Sequence, residues 1–558
     1  MASRLLADLW TVSLFAMAAH ADTGIRFEEL SQEAGVHFRH AASKSSEKYL
    51  VEVMGAGVAV FDYDADGRLD LYFVNGADLS NAPAKMDKSD PRHWNRLYRN
   101  LGGWRFEDAT EEAEVAGRGY GMGVAVADYD GDGDQDLYVS NFGPDILYEN
   151  QGDGTFRDAT AEAGISGDGW SSGAAFLDFD KDGLLDLFVA QYLDWSFATN
   201  RPCGDRLPQQ RSYCHPREFR PVRHRLHRNL GGGRFQEVSA GVGIDEFPGK
   251  GLGVALNDFD SDGWIDIFVA NDSYPQQLFL NDRGQRFHES AIQSGTAFDA
   301  EGRDFAGMGV VVDDYDGDLR PDILVNALGR QGYWLYRNAD GHFEAQAGRS
   351  GIAALSELRS GWGMGLVDFD NDGWRDLLVA QGHVMDDISE TDPALAHEEP
   401  LLLARNLFGR FYDVASQSGA AIRTPVAGRG VAFGDLDGDG GVDAAVGVND
   451  GPALLLRNTS SRGESIAVRL VGAGRNRDAI GAVVRVTSSG NKEQLAFRGS
   501  AGSYLSANSP DLHFGLGVGG RCQAIEVTWP DGSQQTLSAP GSGPVVIEQQ
   551  GWPYGTVR

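Results

Sequence analysis

Short apolar runs, rich in β-branched and aromatic residues, recur along most of this chain between clusters of glycine and aspartate. In one unit GVAVF (57–61) precedes FDYDADGRLD (61–70), LDLYFVN (69–75) follows, and RLYRN (96–100) with GGWRFED (102–108) then reads as a hairpin. Runs of this length and composition, set between turn residues, are strands. The unit returns. ILYEN with GDGTFRD (146–158) and RLHRN with GGGRFQE (225–237) repeat the hairpin; QLFLN (277–281), WLYRN (334–338) and ARN (404–406) open it again, with Phe287, Phe343 and Phe411 as the matching aromatics. Four strands per unit and seven units predict an all-β, seven-bladed propeller. LLLRN (454–458) has no matching aromatic strand after it, whereas IRFEEL (25–30) supplies one. The first strand is therefore expected to complete the last blade, so that the ring has no open edge. Propeller boundaries of 22–458 follow. After them ESIAVRLVG, AIGAVVRVTS and IEVTWPDGS alternate as strands of a smaller β domain, 459–558.

The turn between the first two strands of each unit carries the candidate chemistry. Its aspartates stand at positions 1, 3, 5 and 9: Asp62, Asp64, Asp66 and Asp70; Asp128, Asp130, Asp132 and Asp136; Asp178, Asp180, Asp182 and Asp186; Asp258, Asp260, Asp262 and Asp266; Asp314, Asp316, Asp318 and Asp322; Asp368, Asp370, Asp372 and Asp376; Asp435, Asp437, Asp439 and Asp443. Position 6 is glycine except at Leu319, which makes the fifth loop the departure. The spacing is that of the front of an EF-hand loop, yet no helical pattern flanks it. Ca2+ takes six to eight oxygens, and carboxylates at 1, 3, 5 and 9 with the carbonyl at 7 can supply them around a glycine turn. Mg2+ demands stricter octahedral geometry and keeps its waters, so about seven calcium sites are expected. A glycine also stands five residues before each first aspartate, at 57, 123, 173, 253, 309, 363 and 430.

Net charge is −33 with a pI near 4.6, which argues against a nucleic-acid partner. The 28 loop aspartates account for most of it, leaving −5 for the rest. The acidity is thus an inventory of metal sites. Residues 1–21 read as a signal peptide: Arg4, an apolar run from Leu9 to Ala19, and Ala19-His20-Ala21 as the cleavage motif. No other stretch approaches a membrane span, so a secreted or periplasmic location is expected. Export permits disulfides, and Cys203 is expected to pair with Cys214, leaving Cys522 as a buried thiol.

If each first strand runs toward its aspartate loop, the connections after the second strands lie on the opposite face. Three of these are long, at 76–95, 191–224 and 381–400, and long loops on a rigid scaffold commonly carry binding. His215 lies in the second of these and His383 opens the third, while His37, His40 and Glu52 precede the first blade, in a segment expected on the same face. They are candidates for a transition-metal or acid/base site at the propeller mouth, or are surface and packing residues.

GRNRDAIGAVVRV (474–486), RGSAGSYLSANSPDLHFGLG (498–517) and VTWPDG (527–532) resemble the ASPIC/UnbV domain, and the aspartate units resemble VCBS/FG-GAP repeats. Together they resemble the cartilage acidic protein-like family. Vertebrate members add a cysteine-rich EGF-like module for which three cysteines leave no room, so the resemblance is to a bacterial-type member. It implies an exported, calcium-binding propeller; Arg475, Asn476, Arg477, Asp478, Ser503, Tyr504, His513 and Trp529 fall in the C-terminal motifs, as a domain-holding cluster or a ligand site. Two functions stay open. One is a binding or adhesion protein for an extracellular or periplasmic glycan, matrix or protein partner, through the face opposite the calcium loops. The other is a metal-dependent lyase or oxidoreductase using the His/Glu group.

Overall fold

A computed structural model describes residues 24–82, 86–165, 167–204 and 211–550. The candidate signal peptide lies outside the described residues. Seven four-stranded antiparallel sheets follow one another as blades. Blade 1 comprises Val58–Phe61, Asp70–Phe73, Arg96–Asn100 and Phe106–Asp108, and blades 2 to 6 repeat that order. Blade 7 takes Gly428–Gly434, Asp443–Val448 and Leu454–Asn458 from one end of the chain and Phe27–Glu29 from the other, the last pairing antiparallel with Leu454–Asn458. Each blade's first strand packs against the next blade's, and the seventh's against the first's, so the ring is closed.

The glycine before each aspartate loop has a packing reason. A Cβ on Gly309 would lie 2.0 Å from the Trp362 carbonyl oxygen, and one on Gly57 would lie 2.2 Å from that of Leu505. Inner strands approach the axis, and one another, more closely than any side chain allows.

After the ring come two further sheets, one of Leu512–Gly517, Glu464–Val471 and Gly543–Glu548, the other of Glu493–Phe497, Val483–Ser488, Cys522–Thr528 and Gln534–Gly541. Between them the segment 499–508 enters the axis of the ring. Ser500 bonds Phe176 of blade 3 through its hydroxyl, Ser503 exchanges backbone bonds with Val310 of blade 5, and Ser503 Oγ donates to Val431 O of blade 7 while accepting from Met364 N of blade 6. Leu505 O accepts from Val124 of blade 2, and Ala507 bonds Val58 and Val60 of blade 1. One short segment thereby saturates inner-strand backbone groups around most of the ring, groups that burial would otherwise leave unpaired.

The other end of the axis is roofed. Ser212 Oγ, in the long connection of blade 3, donates to Asp387 Oδ2 in that of blade 6 at 2.6 Å, across the ring. Beneath lies an aromatic core that includes Trp170, Trp195, Tyr192, Trp362 and Tyr504. Among the described residues no helix is long and apolar enough to cross a membrane.

Candidate metal loops and the docking of the C-terminal domain

Each aspartate loop has the same internal wiring, seen in blade 1. The N–H groups of Asp66 and Gly67 donate to the two oxygens of Asp62 at 3.1 and 3.0 Å, and Arg68 N donates to Asp66 Oδ1 at 2.9 Å. Asp70 is fully buried and accepts from Tyr63 N at 3.1 Å and Asn100 N at 2.7 Å. Its six counterparts are buried too. Leu319 keeps this geometry: it sits at φ +66°, where glycine stands elsewhere, and its N–H donates to Asp314 Oδ2 at 2.8 Å.

These carboxylates fit a divalent cation. In the loops of blades 1 to 5, three or four of them each bring an oxygen within 4.8 Å of the others, the span of two ligands across an ion bound at about 2.4 Å. Burial pushes the Asp70 and Asp322 carboxyls up to about 8, and Asp128 up to about 7. Ionised groups so placed need a compensating charge. The position-3 oxygens give the sharper signal. Asp64, Asp180, Asp316, Asp370 and Asp437 each hold a buried Oδ1 with no hydrogen-bond partner. In four of these loops an arginine from the third strand takes the other oxygen: Arg228 on Asp180 and Arg337 on Asp316, both at 2.6 Å, and Arg405 on Asp370 and Arg457 on Asp437, both at 2.7 Å. A carboxylate oxygen left unpaired beside a salt-bridged one is placed to ligate a cation.

A second residue recurs in every hairpin, an asparagine at the end of its first strand motif. This asparagine, last in its strand or, at Asn281 and Asn338, one before the last, is a latch between blades. Asn100 Nδ2 donates to Leu69 O in its own loop and to Leu436 O in the loop of blade 7, both at 2.9 Å. Asn150, Asn229, Asn281, Asn338, Asn406 and Asn458 likewise reach the preceding blade, at Tyr63, Tyr129, Phe179, Phe259, Tyr315 and Phe369. Its recurrence in all seven units is the signal the sequence carries; its reach to a neighbouring loop lies beyond any local pattern.

The C-terminal domain rests on the loops themselves. Asp128 N donates to Asp478 Oδ2 at 2.7 Å, and Arg469 stands 3.8 Å from Asp62. At blade 6 His513 Nε2 meets Asn371 Oδ1 at 2.7 Å, Lys492 Nζ donates to Gly373 O at 2.7 Å, and Gly463 N donates to Asp370 O at 3.0 Å. Arg462 pairs with Asp439 of blade 7 at 2.6 Å. Of the C-terminal motif residues, Asp478, Ser503, Tyr504 and His513 make such interface bonds, Tyr504 through its hydroxyl to Met54 O. Asn476 instead closes its own turn onto Ile480, and Trp529 is buried in the domain core.

The mouth candidates have separate partners. Glu52 is buried and accepts from Ser45 Oγ at 2.5 Å and Tyr213 OH at 3.0 Å. His40 Nδ1 accepts from Asp450 N, His383 Nδ1 from Met385 N and His215 Nδ1 from Arg217 N, while exposed His37 faces Gln32. Cys203 and Cys214 form a disulfide with Cα atoms 5.2 Å apart, and Cys522 is free and buried.

The FG-GAP-like repeat family matches residues 62–139, 128–189, 258–325 and 314–379, and the ASPIC and UnbV family matches 472–550. Cartilage acidic protein 1 of Xenopus tropicalis is 26% identical over 330 residues, covering 56% of this chain and 39% of that protein. The human protein of that name is 29% identical over 180 residues, covering 29% and 24% respectively. The chain thus spans well under half the length of these relatives. Among solved structures, one described as an Agrocybe aegerita lectin recognising non-reducing terminal N-acetylglucosamine is 17% identical, covering 78% of this chain and 94% of that one with a TM-score of 0.40.

Proposed function

Because this chain belongs to the cartilage acidic protein-like family, in which FG-GAP repeats precede an ASPIC and UnbV domain, we propose that it is an exported, calcium-stabilised recognition protein. It holds an extracellular or periplasmic glycan or protein on the face opposite the aspartate loops. The observation that carries this reading is the seating of the C-terminal domain on the loops of blades 1, 2, 6 and 7. That domain occupies the loop face, and the long connections are left to present the other. They are braced for the task by the Cys203–Cys214 disulfide, the Ser212–Asp387 bond and the Lys48–Asp386 ion pair at 2.5 Å. A preorganised surface spends less affinity on ordering.

Calcium acts here as a brace. With a dissociation constant tenfold below the ambient concentration, each site adds about 1.4 kcal/mol, and seven add about 10 kcal/mol at most, comparable to the whole stability of a typical domain. The test is to screen immobilised glycans and secreted proteins in calcium and to map the hit by hydrogen exchange. Protection of the described parts of 76–95, 191–224 or 381–400 is expected; protection confined to the aspartate loops would overturn the assignment of the face.

A further inference from the structure

The seven aspartate loops differ in what covers them. In blade 4 Asp260, Ser261 and Asp262 are exposed, and Asp372 of blade 6 is half-buried. Blade 6 is otherwise closed: Asp368, Asp370, Asn371 and Asp376 expose 0, 6, 2 and 0% of their surface. In none of the other six loops is the residue at the third or the fourth position buried. Asp370 is also one of the carboxylates whose Oδ1 has no hydrogen-bond partner, so the deepest of these oxygens belongs to the most enclosed loop.

The C-terminal domain supplies the cover. Gly515 lies on the position-1 carboxylate so closely that a Cβ there would stand 1.9 Å from Asp368 Oδ2. Gly463 N donates to Asp370 O at 3.0 Å, and Gly517 N to Asn371 O at 2.7 Å. The Asn371 side chain fastens this contact. Its Oδ1 accepts from His513 Nε2–H at 2.7 Å, and its Nδ2 donates to Gly463 O at 3.0 Å and to Gly440 O of blade 7 at 3.2 Å. The other six loops have alanine, glycine, lysine or serine at this position, none of which can donate and accept in that way. Lys492 Nζ closes the far end of the turn at Gly373 O, 2.7 Å away. The side left open is that of Asp372, and Arg405 spans it, bonding Asp370 at 2.7 Å and Asp372 at 2.9 Å. A cavity of about 730 Å3 between the two domains borders Asp368 and Asn371 and leaves both buried.

Water must reach a bound ion before the ion can leave, and groups buried under a docked domain become accessible as that domain opens. We infer that the C-terminal domain is the lid of the blade 6 cation site, whose ion is taken up and given back as that domain lifts, while the exposed loops exchange theirs with the domain seated. The coupling is reciprocal, so an ion at blade 6 holds the domain down. The inference rests on the calcium reading above and adds to it the order in which the ions leave.

The test mixes the full chain, loaded with Ca2+, with an excess of fluorescent chelator and counts the release in equivalents per chain. One equivalent should leave at least tenfold more slowly than the rest, and Asp370→Asn should remove it. Asn371→Ala should move it into the fast group. That variant keeps all four aspartates, and Ala65, at φ +54° against +56° for Asn371, shows that the turn takes alanine. Ser261→Ala, the matching change in the exposed loop of blade 4, should leave the slow equivalent in place. If Asn371→Ala fails to fold, Lys492→Ala, which unfastens the lid at Gly373, decides. Release in a single phase from a loaded chain, a slow equivalent that survives Asp370→Asn, or one unmoved in the folded Asn371→Ala or Lys492→Ala chain would overturn the lid alone. A chain that takes up no calcium would overturn the lid and the calcium brace together.

Discussion

Leu319 stands at φ +66° in a turn where the other loops place glycine, and a side chain there costs about 1 kcal/mol. Leu319→Gly should therefore raise the melting temperature in calcium, with the fold unchanged; a lower melting temperature would show that the leucine makes compensating contacts. Gly57 presents the reverse case, since its missing side chain is required by Leu505 O at 2.2 Å from the Cβ position. Gly57→Ala should destabilise blade 1 and displace the axial segment, seen as increased proteolysis near residue 505. His224 supplies a pH dependence far from the loops. It is buried, its Nδ1 accepts from Gln191 N at 3.1 Å, and its Nε2–H donates to Gln277 Oε1 at 2.9 Å. Burial lowers the imidazole to about 4, against the ordinary 6.5. Between those values the unfolded chain takes a proton that the folded one refuses, so this stability is present above pH 6.5 and lost as pH falls toward 4. The loss is on the order of 3 kcal/mol. His224→Gln should flatten the difference in melting temperature between pH 7 and pH 4.5.

At the scale of the element, the unit of stability is an aspartate loop together with the asparagine that reaches it from the neighbouring blade. In blade 3 Asn229 donates its N–H to Asp186 Oδ1 at 2.7 Å and its amide to Leu185 O and Tyr129 O at 3.0 and 2.8 Å. Removing the amide leaves buried carbonyls without donors, which costs about 1–3 kcal/mol for each. Asn229→Ala should thus lose about 3 kcal/mol, read as a lower denaturation midpoint, whereas an exposed control such as Arg220→Ala should change little. The strands themselves were readable from local composition, because alternation and turn residues act within a few positions. The latch was not, because Asn229 and Tyr129 are brought together only by the closing of the ring.

For the whole molecule, the acidic loops bring together a candidate cation set, the blade-to-blade latch and the seating of the C-terminal domain. Chelation should lower the melting temperature sharply. It should also raise hydrogen exchange in 499–508, since Asp62, Asp128, Asn371 and Asp439 contact that domain from within or beside the candidate ligand sets. A lower melting temperature with unchanged exchange in 499–508 would separate domain seating from the cation. The 28 loop aspartates within a net charge of −33 make the same point: without cations, self-repulsion is concentrated on the face that the second domain must cover.

By itself the sequence determined the all-β repeat, the seven loops and the strand that Leu454–Asn458 lacked, because periodicity, turn chemistry and ligand spacing are encoded within one unit. Only the tertiary structure decided which residues share a site. It carried Ser503 and Leu505 into the axis, set Asp478 and His513 on the loops, and gave Glu52, His40, His215 and His383 separate partners. It also left Arg498 in a cavity between two domains. The physical reason is that ring closure and domain docking juxtapose residues hundreds of positions apart, and no local pattern records that distance.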